Sequence, residues 1–432
     1  MEQGLGRDAS PQEAGAPATA DLYEDLKNGK EYGIVAEKIG LDFPALMARK
    51  ARIVSRLSKG IEGYLFKKNK IALYKGQGRL EGAKTVIVKG EQGETRLSAK
   101  AVMLATGSRP RTLPGMTPDG KAIVTSDEIL ELKEIPKSLV VIGAGAVGIE
   151  FASVFARFGS TVTVIELLPT VLPLEDEEIS AEARKALAKQ MTIHTGARTE
   201  AALKVAHGVE VAFRNTAGEA KSLTAEMLLV AVGRGPVTDG LGLESTKVQI
   251  EKGYVKVNPR METDEPGVYA IGDVVTVDGK PHPQLAHVAS AEGIGVAERL
   301  AGKGTEPVNY DRIPSATYCS PEVAGIGLTE IEATKRGYEV KIGRFPFGNI
   351  AKPRIIGHDV GLVKIVADAK YDEVLGIHMV GPHATDLVSE ACVALRLEST
   401  TEEIARTIHP HPTLSEAVMQ AAEAVYGHAI DA

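Results

Sequence analysis

The stretch of sequence that decides the fold is residues 139–166, LVVIGAGAVGIEFASVFARFGSTVTVIE. An apolar run leads into the glycine pattern Gly143-x-Gly145-x-x-Gly148, after which apolar residues recur at helical spacing. A glycine then ends the helical pattern, and a second, β-branched run ends in Glu166. This order predicts a strand, a phosphate-binding loop, a helix and a second strand, which together form a dinucleotide-binding βαβ unit.

Each of these residues has a physical role in such a unit. Gly143 permits the tight turn, Gly145 lets the backbone approach a pyrophosphate, and Gly148 lets the helix pack closely on the strand. The helix N-terminus adds free N–H groups and a positive potential, which favour phosphates. Glu166 can accept a hydrogen bond from the adenosine ribose and repels a 2′-phosphate, so the sequence favours NAD over NADP. The alternative is a tight strand–helix turn that binds no nucleotide.

The composition is typical of a soluble globular protein. Of the 432 residues 44% are apolar and 25% are charged, and the net charge is −7. The mild acidity gives no support for nucleic acid or an anionic membrane as a partner, and no apolar run reaches membrane-spanning length. Residues 1–19 are mostly polar and small, without the features of a targeting peptide. We therefore expect a disordered tail there and a cytoplasmic protein.

The two cysteines do not form a recognisable pair. Cys319 and Cys392 are far apart in the sequence and belong to no Cys-x2-Cys or Cys-x4-Cys pattern. Such spacing supports neither a disulfide framework nor a zinc site. We expect no bound metal.

Four separated motifs occur along the chain: ATGSRP (105–110), GAGAVGIE (143–150), TDEPGVYAIGD (263–273) and HPHPTLSE (409–416). Their order and spacing resemble those of the pyridine-nucleotide disulfide oxidoreductases, and most of all those of the dihydrolipoyl dehydrogenase group, the flavoproteins of 2-oxoacid dehydrogenase complexes. The resemblance extends from about residue 21 to the C-terminus.

This resemblance implies an α/β fold with two Rossmann-like nucleotide-binding domains and an α+β dimerisation domain. The FAD-binding domain would be truncated at its N-terminus and interrupted by the NAD-binding domain. After the tail, the predicted segments are the first part of the FAD-binding domain (20–112), the NAD-binding Rossmann domain (113–236), the return of the FAD-binding domain (237–307) and the dimerisation domain (308–432).

The resemblance implies FAD as a second cofactor and assigns residues to both cofactors. Asp273, which ends a predicted buried strand, would bind the FAD ribitol, although it can also be read as a turn residue after Gly272. Glu150 either pairs with a lysine near the flavin, as in the family, or is a first-turn helix acid stabilised by the helix dipole. The other implied contacts are Thr106, Gly107 and Ser108 beside FAD, Leu285, Ala286 and His287 against the isoalloxazine, and Gly233 against NAD.

His411 is the implied catalytic base. In the family, the matching histidine takes a proton from a dihydrolipoyl thiol, because only the thiolate is an effective nucleophile, and imidazole is suited to hold that proton near neutral pH. Glu416 would orient the ring. His409 and His411 can also be read as a metal pair, and His411 as an ordinary structural histidine. The family places this histidine at the partner subunit's flavin, which implies a homodimer that serves a lipoyl domain.

The chain also departs from the family pattern. The family begins with its own GxGxxG βαβ unit for FAD and a Cys-x4-Cys redox disulfide, whereas here the match begins near residue 20 and neither feature is present. We therefore expect an incomplete copy that is inactive in dithiol oxidation, with residues 101–105 and 268–271 bordering a gap in the flavin sheet. Two other functions stay open: a non-catalytic NAD-binding or dimerising remnant, and another flavin disulfide reductase, such as a glutathione reductase-like enzyme.

Overall fold

The computed structural model describes residues 15–430 of the chain. They form two compact units. The smaller unit consists of Ala51–Arg111 and Gly233–Asn309, and the larger one of residues 15–50, Thr112–Val232 and residues 310–430.

The predicted dinucleotide-binding segment forms the centre of a parallel sheet in the larger unit. The strand Ser138–Ile142, the helix Ala146–Arg157 and the strand Thr161–Ile165 follow one another, as the sequence predicts. The first strand is almost completely buried, which explains its continuous apolar run. The strand order in the five-stranded sheet is Ile123–Val124, Met227–Val230, Ser138–Ile142, Thr161–Ile165 and Thr192–His194.

Two further helices and a meander complete this part of the larger unit. The helix Ser126–Ile129 begins with a capping box, in which the Thr125 and Glu128 side chains bond to each other's backbone N–H groups. The helix Glu177–Leu187 is capped by Asp176, whose carboxylate accepts from the Glu178 N–H. The antiparallel meander consists of Arg198–Val205, Gly208–Arg214 and Ala220–Ala225.

The C-terminal part of the larger unit is the predicted α+β structure. Its antiparallel sheet is covered by helices, and residues such as Phe345, Ile377 and Val418 are fully buried between the two layers. The strand order is Ser315–Thr317, Glu322–Gly327, Val374–Gly381, Leu362–Asp368 and Val340–Pro346. The helices are Glu330–Lys335, Ala351–Ile355, Ala384–Arg396, Thr401–Arg406 and Glu416–Ala424.

The N-terminal helices differ from the sequence prediction. Residues 16–19, expected in a disordered tail, begin the helix Ala16–Lys27, where a proline suits the first turn; residues 1–14 of that predicted tail lie outside the described residues. Residues 20–50 belong to the larger unit, and their place in the FAD-binding domain stays a prediction. The reason is packing, because Phe43 stacks edge-on against Phe158 with ring centroids 6.4 Å apart.

A buried ion cluster joins the dinucleotide-binding part to the C-terminal sheet within the larger unit. The Lys364 ammonium lies 2.9 Å from the Asp176 carboxylate, and it also contacts Glu178 and Glu330 at 3.1 and 2.8 Å. The side chains of Lys364 and Asp176 are almost fully buried. Burial raises the pKa of Asp176, but Lys364 outweighs burial and holds this pKa below its usual range.

The smaller unit contains an antiparallel meander and the strands on either side of the dinucleotide-binding segment. The first strand of the meander is Gln77–Leu80. Val102–Leu104 and Val268–Ala270 pair in parallel; the gap expected beside them stays a prediction. The other strands of the smaller unit are Thr85–Gly90, Gly93–Ser98, Ser108–Pro110, Arg234–Pro236, Ile250–Glu251, Tyr254–Val257, Val275–Val277 and Lys280–Pro281.

Among the described residues, the smaller unit contains few helices. The helix Phe43–Lys59 extends into it and continues as the π-helix Gly60–Phe66, and the long helix Ala286–Leu300 follows the last strands. Across residues 15–430, none of the helices has the length and apolar character needed to cross a bilayer.

Candidate functional site

The glycines of the phosphate loop fall into two classes. A Cβ atom on Gly143 would lie 2.3 Å from the Ala231 carbonyl oxygen, and one on Gly148 would lie 2.0 Å from the Gly143 carbonyl oxygen. Both residues are therefore required by the fold itself. Gly145 has no atom within 4 Å of its Cβ position and has extended backbone angles that alanine could adopt. The space beside Gly145 is the room that the predicted pyrophosphate would need.

Glu166 is held against the same loop. Its carboxylate accepts hydrogen bonds from the Ala144 N–H at 2.6 Å and from the Leu168 N–H at 2.7 Å. The side chain ends the strand Thr161–Ile165 and is buried. The structure thus brings together the predicted glycine loop and the predicted ribose acceptor. A fixed carboxylate at this position suits a ribose hydroxyl and opposes a 2′-phosphate.

In the smaller unit, Asp273 lies in a polar cluster with Ser108, which is a predicted FAD contact, and with Arg234, which was not predicted. The Ser108 hydroxyl donates to the Asp273 carboxylate at 2.6 Å. Arg234 donates to the Ser108 hydroxyl at 2.7 Å and to its carbonyl oxygen at 2.8 Å. Asp273 follows the strand Val268–Ala270 in a short 3₁₀ turn, so it also has the turn position that was the alternative interpretation.

The predicted contacts at Thr106, Gly107 and Gly233 lie in the same unit. The Thr106 hydroxyl donates to the Val237 carbonyl oxygen at 2.6 Å, and the Val237 N–H donates to the Gly107 carbonyl oxygen at 3.0 Å. Gly233 has a φ of 98°, which favours glycine, and no atom lies within 4 Å of its Cβ position. The open space leaves room for a ligand beside Gly233.

Leu285, Ala286 and His287 form the start of the helix Ala286–Leu300. No side chain caps this helix, and Ala286 and His287 are exposed. Uncapped N–H groups at a helix start can donate to a polar ligand. This arrangement is compatible with the flavin contact that the resemblance implies.

His411 and Glu416 are brought together by the loop before the last helix. His411 Nδ1 lies 2.8 Å from Glu416 Oε1, and the Thr413 N–H donates to Glu416 Oε2 at 2.8 Å. Burial raises the pKa of Glu416, but the hydrogen bonds from Thr413 and His411 outweigh burial, so this pKa lies below its usual range. The His411 side chain is 71% exposed, which keeps its other ring nitrogen accessible.

His409 has a different environment from His411. Its Nε2 lies 2.7 Å from Glu390 Oε1, its Nδ1 lies 2.8 Å from the Thr407 carbonyl oxygen, and its side chain is buried. Because both ring nitrogens already bond to protein oxygens, His409 has no nitrogen left for a metal. Within residues 15–430 no three His, Cys, Asp or Glu side chains are grouped as a metal site would require.

Glu150 has a structural partner. Its carboxylate is buried and accepts a hydrogen bond from the Tyr318 N–H at 3.0 Å, which ties the helix Ala146–Arg157 to the start of the C-terminal part. This is a different partner from the lysine implied by the resemblance. The pairing with that lysine stays a prediction.

Both cysteines are free thiols in the C-terminal part of the larger unit. Cys319 is buried, and its Sγ lies 3.0 Å from the Pro321 carbonyl oxygen. Burial and the Glu150 carboxylate raise the pKa of Cys319 far above its usual value, and burial also raises the pKa of Cys392. A thiol held in its neutral form is a poor nucleophile, so neither cysteine has the properties of a redox thiol.

Sequence reasoning did not identify two residues of these clusters. Arg234 lies in the sequence GRGP, where the available signal was a positive charge directly after a glycine at the end of an apolar run. Glu390, the partner of His409, lies in the middle of a helix 19 residues earlier, and no local pattern connects the two.

Two family models match this chain. The model of the pyridine nucleotide-disulphide oxidoreductases matches residues 12–293, and the model of their dimerisation domain matches residues 313–422. A dihydrolipoyl dehydrogenase of Bacillus subtilis is 42% identical, with 95% of this chain and 88% of that protein covered. Dihydrolipoyl dehydrogenase 3 of Pseudomonas putida is 44% identical with the same coverage.

Solved structures show the same architecture. LpdA of Mycobacterium tuberculosis superimposes with a TM-score of 0.87 at 26% sequence identity, over 97% of this chain and 90% of that chain. The flavoprotein disulfide reductase RclA of Escherichia coli has a TM-score of 0.82 at 23% identity, over 98% of this chain and 90% of that chain, and therefore supports the fold alone.

The α/β fold with its dimerisation domain is thus confirmed, as is the resemblance to the dihydrolipoyl dehydrogenases. The cofactors of that group are FAD and NAD, and the open space at Gly145 and the carboxylates of Glu166 and Asp273 fit them chemically. The chain belongs to the pyridine nucleotide-disulphide oxidoreductase family, and within it to the homologues of dihydrolipoyl dehydrogenase.

Proposed function

We propose that this protein takes part in the oxidation of protein-bound dihydrolipoamide with reduction of NAD through FAD. The observation that carries this proposal is the hydrogen-bonded pair of His411 and Glu416, in which an exposed imidazole is held by an ionised carboxylate. A base of this kind is what the reaction requires, because a dithiol must lose a proton before it can act as a nucleophile.

His411 is the proton acceptor in this proposal. Its exposed Nε2 takes the thiol proton, while Nδ1 donates to the Glu416 carboxylate, which holds the ring in place. Oxidation of the dithiol to a disulfide releases two electrons and two protons, and NAD takes up two electrons and one proton as a hydride. FAD, when bound, supplies the two-electron relay between them.

Cofactor selection rests on residues in both units. Glu166 would accept the NAD ribose hydroxyl and exclude NADP, and Gly145 would allow the pyrophosphate to approach the backbone. Asp273, held by Ser108, would bind the FAD ribitol, with Thr106, Gly107 and the residues from Leu285 to His287 as further contacts. Gly233 would lie against NAD.

The assembly in this proposal is a homodimer. The matched dimerisation region contains His411, and in the family this histidine acts at the flavin of the other subunit. The other proposed partner is the lipoyl domain of a 2-oxoacid dehydrogenase complex. A cytoplasmic location is also part of the proposal, and fractionation of source cells tests it.

The cysteines of this chain limit its part in the oxidation of a dithiol. Its two cysteines are Cys319 and Cys392, neither belongs to a Cys-x4-Cys pair, and the pKa of each thiol is raised. We infer that the 432-residue chain binds NAD but does not turn over dihydrolipoamide by itself.

Two assays on the purified chain with added FAD test these statements. NADH should bind at least about tenfold more tightly than NADPH, because the Glu166 carboxylate opposes the 2′-phosphate. Dihydrolipoamide-dependent reduction of NAD should be absent. Equal binding of NADH and NADPH would contradict the cofactor assignment, whereas turnover with dihydrolipoamide would contradict the inference about the cysteines.

A further inference from the structure

A buried histidine–glutamate pair lies in the smaller unit, and neither residue has been assigned a role above. His282 Nε2 is 2.9 Å from Glu292 Oε1, and both side chains are fully buried. His282 precedes the helix Ala286–Leu300, and Glu292 belongs to its second turn. Burial of two ionisable groups costs free energy unless their hydrogen bonds are satisfied, so such a pair calls for an explanation.

Each member of the pair also holds a backbone N–H of a different loop. Glu292 Oε2 accepts from the Gly272 N–H at 2.7 Å, and His282 Nδ1 accepts from the Gln284 N–H at 2.9 Å. Gly272 directly precedes Asp273, and Gln284 directly precedes Leu285. One chain of three hydrogen bonds therefore connects the two loops that carry the proposed flavin contacts.

The direction of each hydrogen bond is fixed. Because His282 Nδ1 accepts from an N–H, the proton of a neutral ring must be on Nε2, from which it is donated to Glu292. Each oxygen of the Glu292 carboxylate then accepts one of these hydrogen bonds. This arrangement works with an ionised carboxylate and with a single tautomer of the histidine.

The two residues that are held both have a positive φ, which is unusual only for Gln284. Gly272 has a φ of 72° and Gln284 a φ of 58°. Positive φ is uncommon for a residue with a side chain and persists where the surroundings enforce it. At Gln284 the enforcing contact is the His282 ring, in the manner of an Asx turn.

We propose that His282 and Glu292 are positioning residues that hold the Gly272–Asp273 turn and the Gln284–Leu285 turn in the conformation that binds FAD. The pair acts through the backbone of these turns and not by touching the flavin. This inference rests on the proposed function, because FAD is the ligand that Asp273 and Leu285 are assigned to bind.

Three substitutions test the pair. Glu292→Gln keeps the shape, but no orientation of the amide satisfies both contacts: its NH2 group would face either the Gly272 N–H or the His282 Nε2–H. His282→Asn keeps an acceptor for the Gln284 N–H and removes the contact with Glu292. Glu298→Gln, later in the same helix, is the matched control for the charge change.

The first measurement is amide hydrogen exchange of the chain without added FAD. In Glu292→Gln we expect exchange at Gly272 and Gln284 to become about tenfold faster, the usual effect of losing a charge-assisted hydrogen bond. His282→Asn should keep Gln284 protected, and Glu298→Gln should match the wild type. Unchanged exchange in Glu292→Gln, or loss of Gln284 protection in His282→Asn, would overturn the proposed contacts.

The second measurement is FAD binding, followed by flavin fluorescence and by visible circular dichroism of the bound flavin. In Glu292→Gln we expect about tenfold weaker binding of FAD and an altered dichroism band. In His282→Asn both changes should be smaller, and in Glu298→Gln neither should occur. Wild-type flavin properties in Glu292→Gln, despite faster exchange, would overturn the positioning role. If the wild-type chain binds no FAD, the proposed function fails, whereas the exchange data still decide whether the pair holds the two turns.

Discussion

Replacement of Gly145 by alanine separates ligand binding from structural support in the phosphate loop. A Cβ at this position meets no atom within 4 Å, and the backbone angles, φ −73° and ψ −179°, are open to alanine. The free energy of unfolding should therefore stay within about 0.5 kcal/mol of the wild type. A pyrophosphate lying against this backbone would, however, collide with the added methyl group.

The neighbouring glycines give the opposite result. At Gly148 a Cβ would lie 2.0 Å from the Gly143 carbonyl oxygen, whereas real Cβ atoms essentially never approach another atom within 3.0 Å. Helix and loop would have to separate by at least about 1 Å, at a cost of roughly 1–3 kcal/mol or more from overpacking. Gly148→Ala is therefore the matched variant in which stability falls whether or not the loop binds a nucleotide.

The assay combines thermal unfolding with titration of NADH. Gly145→Ala should unfold like the wild type and bind NADH about tenfold or more weakly, which corresponds to about 1.4 kcal/mol. Gly148→Ala should lose stability. Wild-type affinity for NADH in Gly145→Ala would refute the reasoning, because the open space beside Gly145 would then have no part in binding the pyrophosphate.

Three further predictions concern the ion cluster, the thiols and the base. Lys364→Met leaves the buried Asp176 without its counter-charge and should cost about 3–5 kcal/mol at neutral pH, measured by denaturant unfolding. Lys364 holds the pKa of Asp176 below its usual range. The pair therefore stabilises the fold at a pH above the usual pKa of an aspartate, and this stabilisation is lost as the pH falls through the lowered pKa. The deficit of the variant should therefore shrink in acid, and a deficit independent of pH would contradict the pairing. Cys319 should resist alkylation in the native chain and react after denaturation, which mass spectrometry of the labelled peptides checks; rapid native labelling would be incompatible with its burial and raised pKa. Glu416→Gln should loosen the His411 ring, because the charge-assisted hydrogen bond at its Nδ1 is weakened, and unchanged NMR chemical shifts of the ring nitrogens would contradict the orienting role of Glu416.

Local sequence patterns predict the dinucleotide-binding segment well. The strand, loop and helix around Gly143 occur at the expected residues because each depends on neighbours in the sequence: a buried apolar run, a glycine turn and helical periodicity. The pair of His411 and Glu416 also lies within one short motif, and its hydrogen bond is present. Their roles in binding and catalysis stay predictions.

Contacts between distant segments were not accessible to the same reasoning. The helix Ala16–Lys27 and Phe43 pack against residues more than 100 positions later, so no local pattern could assign them to the larger unit. The links between Arg234 and Ser108 and between His409 and Glu390 likewise depend on tertiary structure. The burial of Cys319 is a further property of the folded chain, since the sequence supplies only the spacing of the cysteines.

The most direct test of the account is an anaerobic titration of the FAD-loaded chain, followed through the visible absorbance of the flavin. We predict that NADH bleaches the flavin band and that NADPH does so at least about tenfold less effectively, since Glu166 selects the cofactor. We also predict that dihydrolipoamide leaves the band unchanged, because a chain with Cys319 and Cys392 as its thiols has no redox pair. A flavin band that does not respond to NADH would contradict the central claim that this chain couples an NAD site to a flavin site.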